Sequence, residues 1–383
     1  MREIFAREPH RAEGRLSMRI LAPQIGISLK TCLGGAVTDR AFLYGLADRG
    51  HEIDLLLPEG EEADPHPNVR VTVLPRNALF QTSYFMNFYF LPSMKRILQE
   101  REIPIVRIHS PYSLGITAPL LRFFGPRKPL LWYSFLHLEA RRDWALLDRW
   151  LPRFADGITC ISEDTRQELQ ERCRLLQGKV TRVTPLGVDT SLFKRKEIPG
   201  AKDPPTVLFV GSLVPRKGVS ELLQAWEKVE REFPQARLVI VGQGPLEADV
   251  KRFAVRHPTV FHVSKIAHEK LPEIYSKADI FFFPTRKEGF GLVVAEAMAC
   301  GLPVVTAEAP GVRQLVIDGE TGFKRPIGAV DQFSERILYL LKHPEASRRM
   351  GRLARERAEH HLTWDHGISE TESFIEELAK RSN

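Results

Sequence analysis

The sequence predicts an α/β protein made of two doubly wound domains, each built on a parallel sheet. Three observations carry this prediction. Short apolar runs rich in β-branched residues alternate with helix-like stretches along the chain. The length of 383 residues is too great for one ordinary core. A charged segment with proline and glycine interrupts the pattern at 194–205, which suits a linker between domains.

The predicted strands are the short apolar runs. In the first half of the chain they lie at 20–22, 52–57, 70–74, 104–108, 130–135, 157–161 and 180–184. In the second half they lie at 206–210, 237–241, 260–263, 280–283 and 303–306. Open sheets of this kind bind ligands beyond the carboxyl ends of their strands, so two such edges facing each other would form a cleft.

The ends of the chain complete this division. Residues 1–17 are polar, mixed in charge and without the apolar core of a secretory signal, so we expect a tail there. The first domain would then span 18–195, the second 206–364, and a final helix 365–383.

Composition and charge exclude several classes of protein. Hydrophobic residues make up 43% and charged residues 27%, as in soluble globular proteins, and no apolar run is long enough to span a membrane. The four cysteines show no paired spacing, which argues against a zinc site or a disulfide framework and fits a reducing cytoplasm. The charge excess of 55 − 48 = +7 favours anionic partners, but the basic residues form no nucleic-acid motif, so no nucleic-acid partner is predicted.

The most informative segment runs from 287 to 301 and contains two glutamates. Glu288 precedes a Gly-Phe-Gly turn, and Glu296 lies in the helix that this turn opens, just after the predicted strand 280–283. That order places helix N–H groups and a favourable dipole where a phosphate could sit. A carboxylate on each side could hold hydroxyls, because an ionised carboxylate only accepts hydrogen bonds. An anionic group with hydroxyls describes a nucleotide-sugar.

This segment resembles the retaining glycosyltransferases of family 4, whose GT-B architecture has two Rossmann-like domains facing a central cleft. The resemblance covers nearly the whole chain and extends to segments at 34–35, 48–52, 155–162, 185–189, 209–218 and 241–246. It implies that the final helix crosses back onto the first domain, and that the second domain holds the donor.

The resemblance implies a role for each candidate residue. Glu288 would hold sugar hydroxyls and Glu296 the nucleotide ribose. Lys217 and the backbone of the Gly-Phe-Gly turn would stabilise the departing diphosphate. The acceptor would attack on the leaving-group face, without a settled protein nucleophile. The catalytic set is Glu288, His137 and Lys217, and the donor-binding set is Gly35, Arg216, Lys217, Gly289, Phe290, Gly291, Leu292 and Glu296.

Two histidines follow predicted strands. His137 resembles the family position whose histidine contacts the transferring sugar, although a lone histidine after a strand is more often structural. His109 ends another strand, and its role stays open between the site and the scaffold.

Several positions depart from the family pattern. Ser212 stands where an arginine is usual, so either Arg216 compensates or charge stabilisation is weaker. Gln314, Leu186 and Ser264 replace a frequent glutamate, asparagine and glycine. Together these departures suggest two alternatives, which are altered substrate specificity and lost activity.

Two absent motifs narrow the chemistry. No Asp-x-Asp occurs in the sequence, so we expect no metal and no cofactor beyond the nucleotide-sugar substrate. Gly242-x-Gly244 lacks the third glycine of a dinucleotide fingerprint, which argues against a dehydrogenase.

An aromatic stretch at 78–92, followed by Lys95 and Arg96, has three interpretations. It could form a packed helix pair, an acceptor pocket or a contact with an anionic membrane. The third would make a cytoplasmic protein peripheral at the inner face of the membrane.

The sequence thus predicts a retaining, hexosyltransferase-type enzyme that moves a sugar from a nucleoside diphosphate to a glycan, lipid-linked or small-molecule acceptor. A nucleotide-sugar epimerase or phosphorylase of the same fold is one alternative. A noncatalytic binding protein with a degenerate cleft is another. The nucleoside, the sugar and the acceptor do not follow from the sequence.

Overall fold

A computed structural model of the chain describes residues 17–24, 34–75, 86–109, 114–124, 129–135, 150–173, 176, 179–196 and 204–381. By internal packing the chain divides into two compact units: unit 1 comprises Met1–Pro185 with Trp364–Asn383, and unit 2 comprises Leu186–Thr363. The predicted tail, except residue 17, and most of the predicted linker, 197–203, lie outside the described residues.

The described residues form alternating strands and helices. The strands are β1 (Arg19–Pro23), β2 (Glu52–Pro58), β3 (Val69–Leu74), β4 (Ile105–His109), β5 (Leu130–Phe135), β6 (Gly157–Cys160), β7 (Val180–Val183), β8 (Thr206–Val210), β9 (Arg237–Val241), β10 (Val260–Val263), β11 (Ile280–Phe283), β12 (Val304–Ala307) and β13 (Gly322–Arg325). The helices are α1 (Gly34–Asp48), α2 (Met86–Glu100), α3 (Thr117–Phe124), α4 (Glu163–Arg172), α5 (Val219–Glu232), α6 (Glu247–Arg256), α7 (Leu271–Lys277), α8 (Leu292–Ala299), α9 (Val330–Lys342), α10 (Pro344–His361) and α11 (Trp364–Lys380).

The sheet of unit 1 has seven parallel strands in the order β3-β2-β1-β4-β5-β6-β7. The final helix α11 packs on this unit: the ring of Phe374 lies 5.5 Å from that of Trp132 in β5. Gly157 in β6 makes room for Phe374, since a Cβ there would lie 2.6 Å from its ring.

The sheet of unit 2 has six parallel strands in the order β10-β9-β8-β11-β12-β13. Its central strands are buried on both faces, as β11 illustrates with four buried residues, which is why they read as continuous apolar runs. The predicted α/β class with parallel sheets is confirmed. Each predicted strand is present with ends within one residue, and β13 is an addition.

The boundary between the units lies earlier than the predicted end of the first domain at residue 195. The segment after Pro185 packs within unit 2, where the N–H of Val188 donates to the carbonyl of Leu362 at 2.7 Å. Arg355 in α10 donates to the carbonyl of Phe193 at 2.6 Å. These bonds join 186–193 to unit 2 although its sequence continues the first domain's pattern.

The predictions about cysteines and membrane-spanning segments are compared with the structure for the described residues. Cys160, Cys173 and Cys300 are free and buried, and Cys32 lies outside the described residues. Within the part of the chain that the structure describes, no helix is both long and apolar enough to cross a bilayer.

Candidate active site

The candidate site of unit 2 lies where the strand order of its sheet reverses. β8 and β11 are neighbours, and the chain leaves β8 toward β9 on one side and β11 toward β12 on the other. In open α/β sheets such a switch point leaves a crevice beyond the carboxyl ends of the two strands, where ligands bind. Lys217 follows β8 and Glu288 follows β11, so the topology brings both to this edge.

The loops after β8 and β11 approach so closely that one position must be glycine. Gly218, which follows the 3-10 turn Pro215–Lys217, adopts a φ of +72°. A Cβ at Gly218 would lie 1.9 Å from the carbonyl oxygen of Pro284. The N–H of Arg286 donates to the carbonyl of Arg216 at 2.8 Å. The two loops therefore form one joined structure.

A buried ion pair lies at the junction of these loops. Lys217 Nζ donates to Glu288 Oε1, and their side chains are only 12% and 10% exposed. Thr285 Oγ1 donates to the same oxygen at 3.2 Å, and the more exposed Arg216 lies 3.7 Å from it. Lys217 Nζ also lies 5.3 Å from the ring centroid of Phe283. Burial lowers the pKa of Lys217, and the charge of Glu288 opposes that shift.

The turn after Glu288 leads into α8. Gly291 caps the helix with a φ of +89°, a conformation that glycine adopts without strain. Among the described residues, the N–H groups of Gly289, Phe290 and Gly291 have no backbone acceptor. The Phe290 side chain is 3% exposed, so a donor contact there would involve its backbone. Leu292 starts the helix. These N–H groups and the helix dipole favour an anion at this end.

The backbone position of Glu288 depends on Gly311. Glu288 N–H donates to the carbonyl of Pro310 at 3.0 Å, and a Cβ at Gly311 would lie 2.4 Å from the carbonyl oxygen of Glu288. Gly319 has a similar φ of +78°, against +85° at Gly311, but has open space around it. A side chain would therefore meet the same left-handed backbone conformation at both positions, but it would meet a close neighbouring atom only at Gly311.

Alanine at Gly311 is expected to displace Glu288, whereas alanine at Gly319 is the matched control. Both changes should lower stability by about 1–2 kcal/mol through left-handed strain, and Gly311→Ala by more because the carbonyl must move. Thermal unfolding and donor turnover measure both. We expect turnover at least tenfold lower in Gly311→Ala than in Gly319→Ala; equal values would mean that Gly311 does not position Glu288.

Glu296 has its own partners. It lies inside α8, is 7% exposed, and accepts hydrogen bonds from Tyr275 Oη at 2.9 Å and His268 Nε2 at 3.2 Å. Burial raises the pKa of the Tyr275 hydroxyl well above its ordinary value. Sequence reasoning missed His268 and Tyr275, because their bonds to Glu296 span 28 and 21 positions. It also missed Thr285, although this residue lies only three positions before Glu288.

The predicted residues of unit 1 are only partly described. Gly35 lies in the first turn of α1, and His137 lies outside the described residues, so its role stays a prediction. His109 ends β4 and its Nδ1 lies 2.6 Å from Asp39 Oδ1. Arg107, 1% exposed, donates to the same oxygen at 2.6 Å. Burial would raise the pKa of Asp39, but Arg107 and His109 lower it below its ordinary value.

The structure describes the surroundings of two residues that depart from the family pattern, Ser212 and Gln314. Ser212 is exposed after β8, and Arg216 lies within 3.7 Å of Glu288, where it can supply part of the missing charge. Gln314 is half-buried, and its carbonyl accepts from Arg357 at 2.9 Å. In the described ranges, no three histidine, cysteine or carboxylate side chains group as metal ligands.

The arrangement suits a diphosphate next to a polyhydroxy group. Lys217, Arg216 and the N–H groups of the turn provide positive charge and donors at one edge. Glu288 and Glu296 provide acceptors. Charge that develops on a departing diphosphate would meet groups already in place.

Two family models of glycosyltransferases match this chain, and together they cover most of its length. The family model described as Glycosyltransferase Family 4 matches residues 34–192, and that described as Glycosyl transferases group 1 matches residues 191–357. The GDP-mannose-dependent monoacylated alpha-(1-6)-phosphatidylinositol monomannoside mannosyltransferase of Corynebacterium glutamicum is 31% identical over 71% of this chain and 76% of its own. The GDP-mannose-dependent alpha-(1-6)-phosphatidylinositol monomannoside mannosyltransferase of Mycolicibacterium smegmatis is 29% identical over 86% of this chain and 92% of its own.

A solved structure agrees with the fold. The sucrose-phosphate synthase of Thermosynechococcus elongatus superposes with a TM-score of 0.78 over 95% of this chain and 100% of its own, at 23% identity. The predicted GT-B fold of two Rossmann-like domains is thereby confirmed. The chain belongs to family 4 of the glycosyltransferases and is a glycosyltransferase of the GT-B fold.

Proposed function

We propose that this glycosyltransferase transfers a hexose from a nucleoside diphosphate sugar with retention of anomeric configuration. Unit 2 binds the donor. Lys217 and the turn from Gly289 to Gly291 receive the diphosphate, Glu288 holds sugar hydroxyls, and Glu296 holds the ribose. The acceptor hydroxyl attacks on the face that the diphosphate leaves, and its proton passes to the departing phosphate.

The buried pair of Lys217 and Glu288 at the β8/β11 switch point carries this proposal. A surface pair would contribute little, but this one lies with both side chains largely removed from water. Its members are placed where an anion and sugar hydroxyls would meet helix N–H groups. Preorganised groups of this kind can lower a barrier by several kcal/mol, roughly 10²–10³-fold for one donor.

The names of the relatives support a donor and an acceptor class. Both mannosyltransferases are named as GDP-mannose-dependent and as acting on phosphatidylinositol mannosides. We therefore propose GDP-mannose as the first donor to examine and a lipid-linked or glycan acceptor. At about 30% identity these are starting points, because acceptor specificity is set by loops that vary within a fold.

A donor screen tests the proposed function. The chain is incubated with GDP-mannose, UDP-glucose, UDP-N-acetylglucosamine and ADP-glucose, and thermal stabilisation and slow donor hydrolysis are measured. A bound donor must raise apparent stability. One donor should both stabilise and turn over. A nucleotide-sugar converted to its epimer would favour the epimerase, and binding without turnover of any donor would favour a noncatalytic binding protein.

Activity is expected to survive chelation. The sequence has no Asp-x-Asp, and Lys217 with Arg216 can supply charge to the diphosphate. Donor turnover should therefore change by less than about twofold in excess EDTA, since leaving-group charge is met by side chains and N–H groups. A strict need for Mg²⁺ or Mn²⁺, restored by adding the ion back, would overturn this account of the leaving-group site.

Peripheral contact with an anionic membrane is a further part of the proposal. Of the aromatic stretch at 78–92, residues 78–85 lie outside the described residues, Phe88 is 53% exposed and Phe90 is buried in the core. Unit 1 also exposes Phe123 by 69% and Trp150 by 50%. Arg153 lies over the Trp150 ring at 5.1 Å. Aromatics beside cations suit a lipid interface.

Flotation with phosphatidylglycerol vesicles tests this contact. The chain should float at low salt and be released as salt rises, since surface charges are screened beyond about 8–10 Å at physiological ionic strength. Trp150→Ser should weaken flotation, whereas Val255→Ser, at a position 86% exposed in unit 2, is the matched control. A chain that stays unbound at low salt would leave the aromatics without this role.

A further inference from the structure

Two side chains hold the carboxylate of Glu296 on different oxygens. Tyr275 Oη donates to Oε2 at 2.9 Å, and His268 Nε2 lies 3.2 Å from Oε1. Since an ionised carboxylate only accepts, His268 must carry a proton on Nε2. Tyr275 and Glu296 are 0% and 7% exposed, so the carboxylate plane is fixed by the protein.

The polar contact of His268 within the described residues is with Glu296. Its Nδ1 is buried and has no hydrogen-bond partner in the described part of the chain. A histidine that serves the scaffold alone would pair both ring nitrogens or leave one to water, because a buried unpaired polar atom is costly. The hydrogen bond that His268 donates to Glu296 raises the pKa of His268, and burial opposes that shift. The hydrogen bond from Nε2 to Glu296 is therefore the polar contact that explains the place of the imidazole ring.

Phe193 limits the movement of both rings. Its centroid lies 5.2 Å from that of His268 and 5.9 Å from that of Tyr275, edge to face in each case. Arg355 anchors the backbone of Phe193 through the carbonyl bond at 2.6 Å. The imidazole thus lies in contact with both an anchored aromatic ring and Glu296.

We propose that His268 is a positioning residue for the ribose of the donor. Each carboxylate oxygen has two lone-pair sites, and His268 and Tyr275 occupy one on each. As far as the described residues go, one site per oxygen remains, which matches the two hydroxyls of a ribose. His268 thereby turns Glu296 toward the diol without touching the reacting atoms. The inference rests on the proposed function, in which Glu296 binds the ribose.

The test compares binding of GDP with binding of 2′,3′-dideoxy-GDP, which lacks both hydroxyls, by titration calorimetry. The UDP pair is measured in parallel. The wild-type chain should prefer the ribonucleotide by roughly tenfold or more, as expected for hydrogen bonds to a charged acceptor. His268→Leu should lower that preference by roughly tenfold through weaker ribonucleotide binding, with dideoxynucleotide affinity within about twofold of wild type. His268→Gln, whose amide can donate near the position of Nε2, should restore most of the preference.

The outcomes separate this inference from the proposed function. If Glu296→Gln removes the preference and His268→Leu does not, the positioning role is wrong while the ribose site stands. Equal weakening of both nucleotides by His268→Leu would assign His268 to the scaffold and also overturn the inference. A wild-type chain without preference for the ribonucleotide would overturn the ribose role of Glu296 and the inference together.

Discussion

Replacing Glu288 by glutamine is expected to lower donor turnover by roughly 10²-fold or more. Glutamine keeps the size of the side chain and one acceptor oxygen for Lys217, so the loops after β8 and β11 should stay joined. The variant loses the negative charge, which in the proposed function would strengthen hydrogen bonds to sugar hydroxyls as positive charge develops on the sugar ring. The effect should therefore appear in kcat as well as in kcat/KM.

The control for this substitution is Glu345→Gln. The Glu345 side chain is 90% exposed on α10 and pairs at the surface with Arg348, three residues along the same helix. Its change should leave turnover within about twofold, as expected for an exposed pair. Turnover of Glu288→Gln equal to that of the control, with donor saturating, would remove Glu288 from the mechanism.

Replacing Lys217 by methionine should have an effect of similar size by a different route. In the proposed function the leaving diphosphate would lose the more buried of its two cations, and Glu288 would lose its closest partner. Removal of one member of a buried pair costs about 3–5 kcal/mol of stability when nothing replaces it. Here we expect less, because Arg216 lies 3.7 Å from the same oxygen. Donor turnover should fall by roughly 10²–10³-fold.

An exposed lysine pair provides the matched control. Lys228 pairs with Asp331, with side chains 44% and 74% exposed, so Lys228→Met should change turnover and stability little. A double-mutant cycle adds a sharper criterion. Because Lys217 and Glu288 are in contact, the double variant should lose much less than the product of the single losses. Independent, multiplicative losses would mean that the two residues do not act as a unit.

The fold could be predicted because its central strands are buried on both faces. The continuous apolar run Ile-Phe-Phe-Phe at 280–283 is typical of a strand that is buried on both faces. β13 could not be predicted in this way, since Lys324 and Arg325 make its short run polar at the edge of the sheet. The division between the units at Pro185 does not follow from composition, because the bond between Val188 and Leu362 joins segments that no local composition connects.

For the candidate site, the sequence indicates individual residues but not the contacts between them. Lys217 and Glu288 each follow a strand in a recognisable loop, yet their bond spans 71 positions and exists because β8 and β11 are neighbours. The contact of His268 with Glu296 likewise spans 28 positions. Sequence periodicity indicates which face of an element is buried, whereas the partner across the sheet depends on strand order.

The anomeric configuration of the first product tests the central claim most directly. The donor is GDP-α-mannose, or whichever α-linked donor the screen identifies. Proton NMR records the anomer of the released or transferred sugar before mutarotation interconverts the two anomers. The account predicts that the α anomer appears first, and that Glu288→Gln slows its appearance by roughly 10²-fold. Initial appearance of the β anomer would contradict the proposed attack on the leaving-group face.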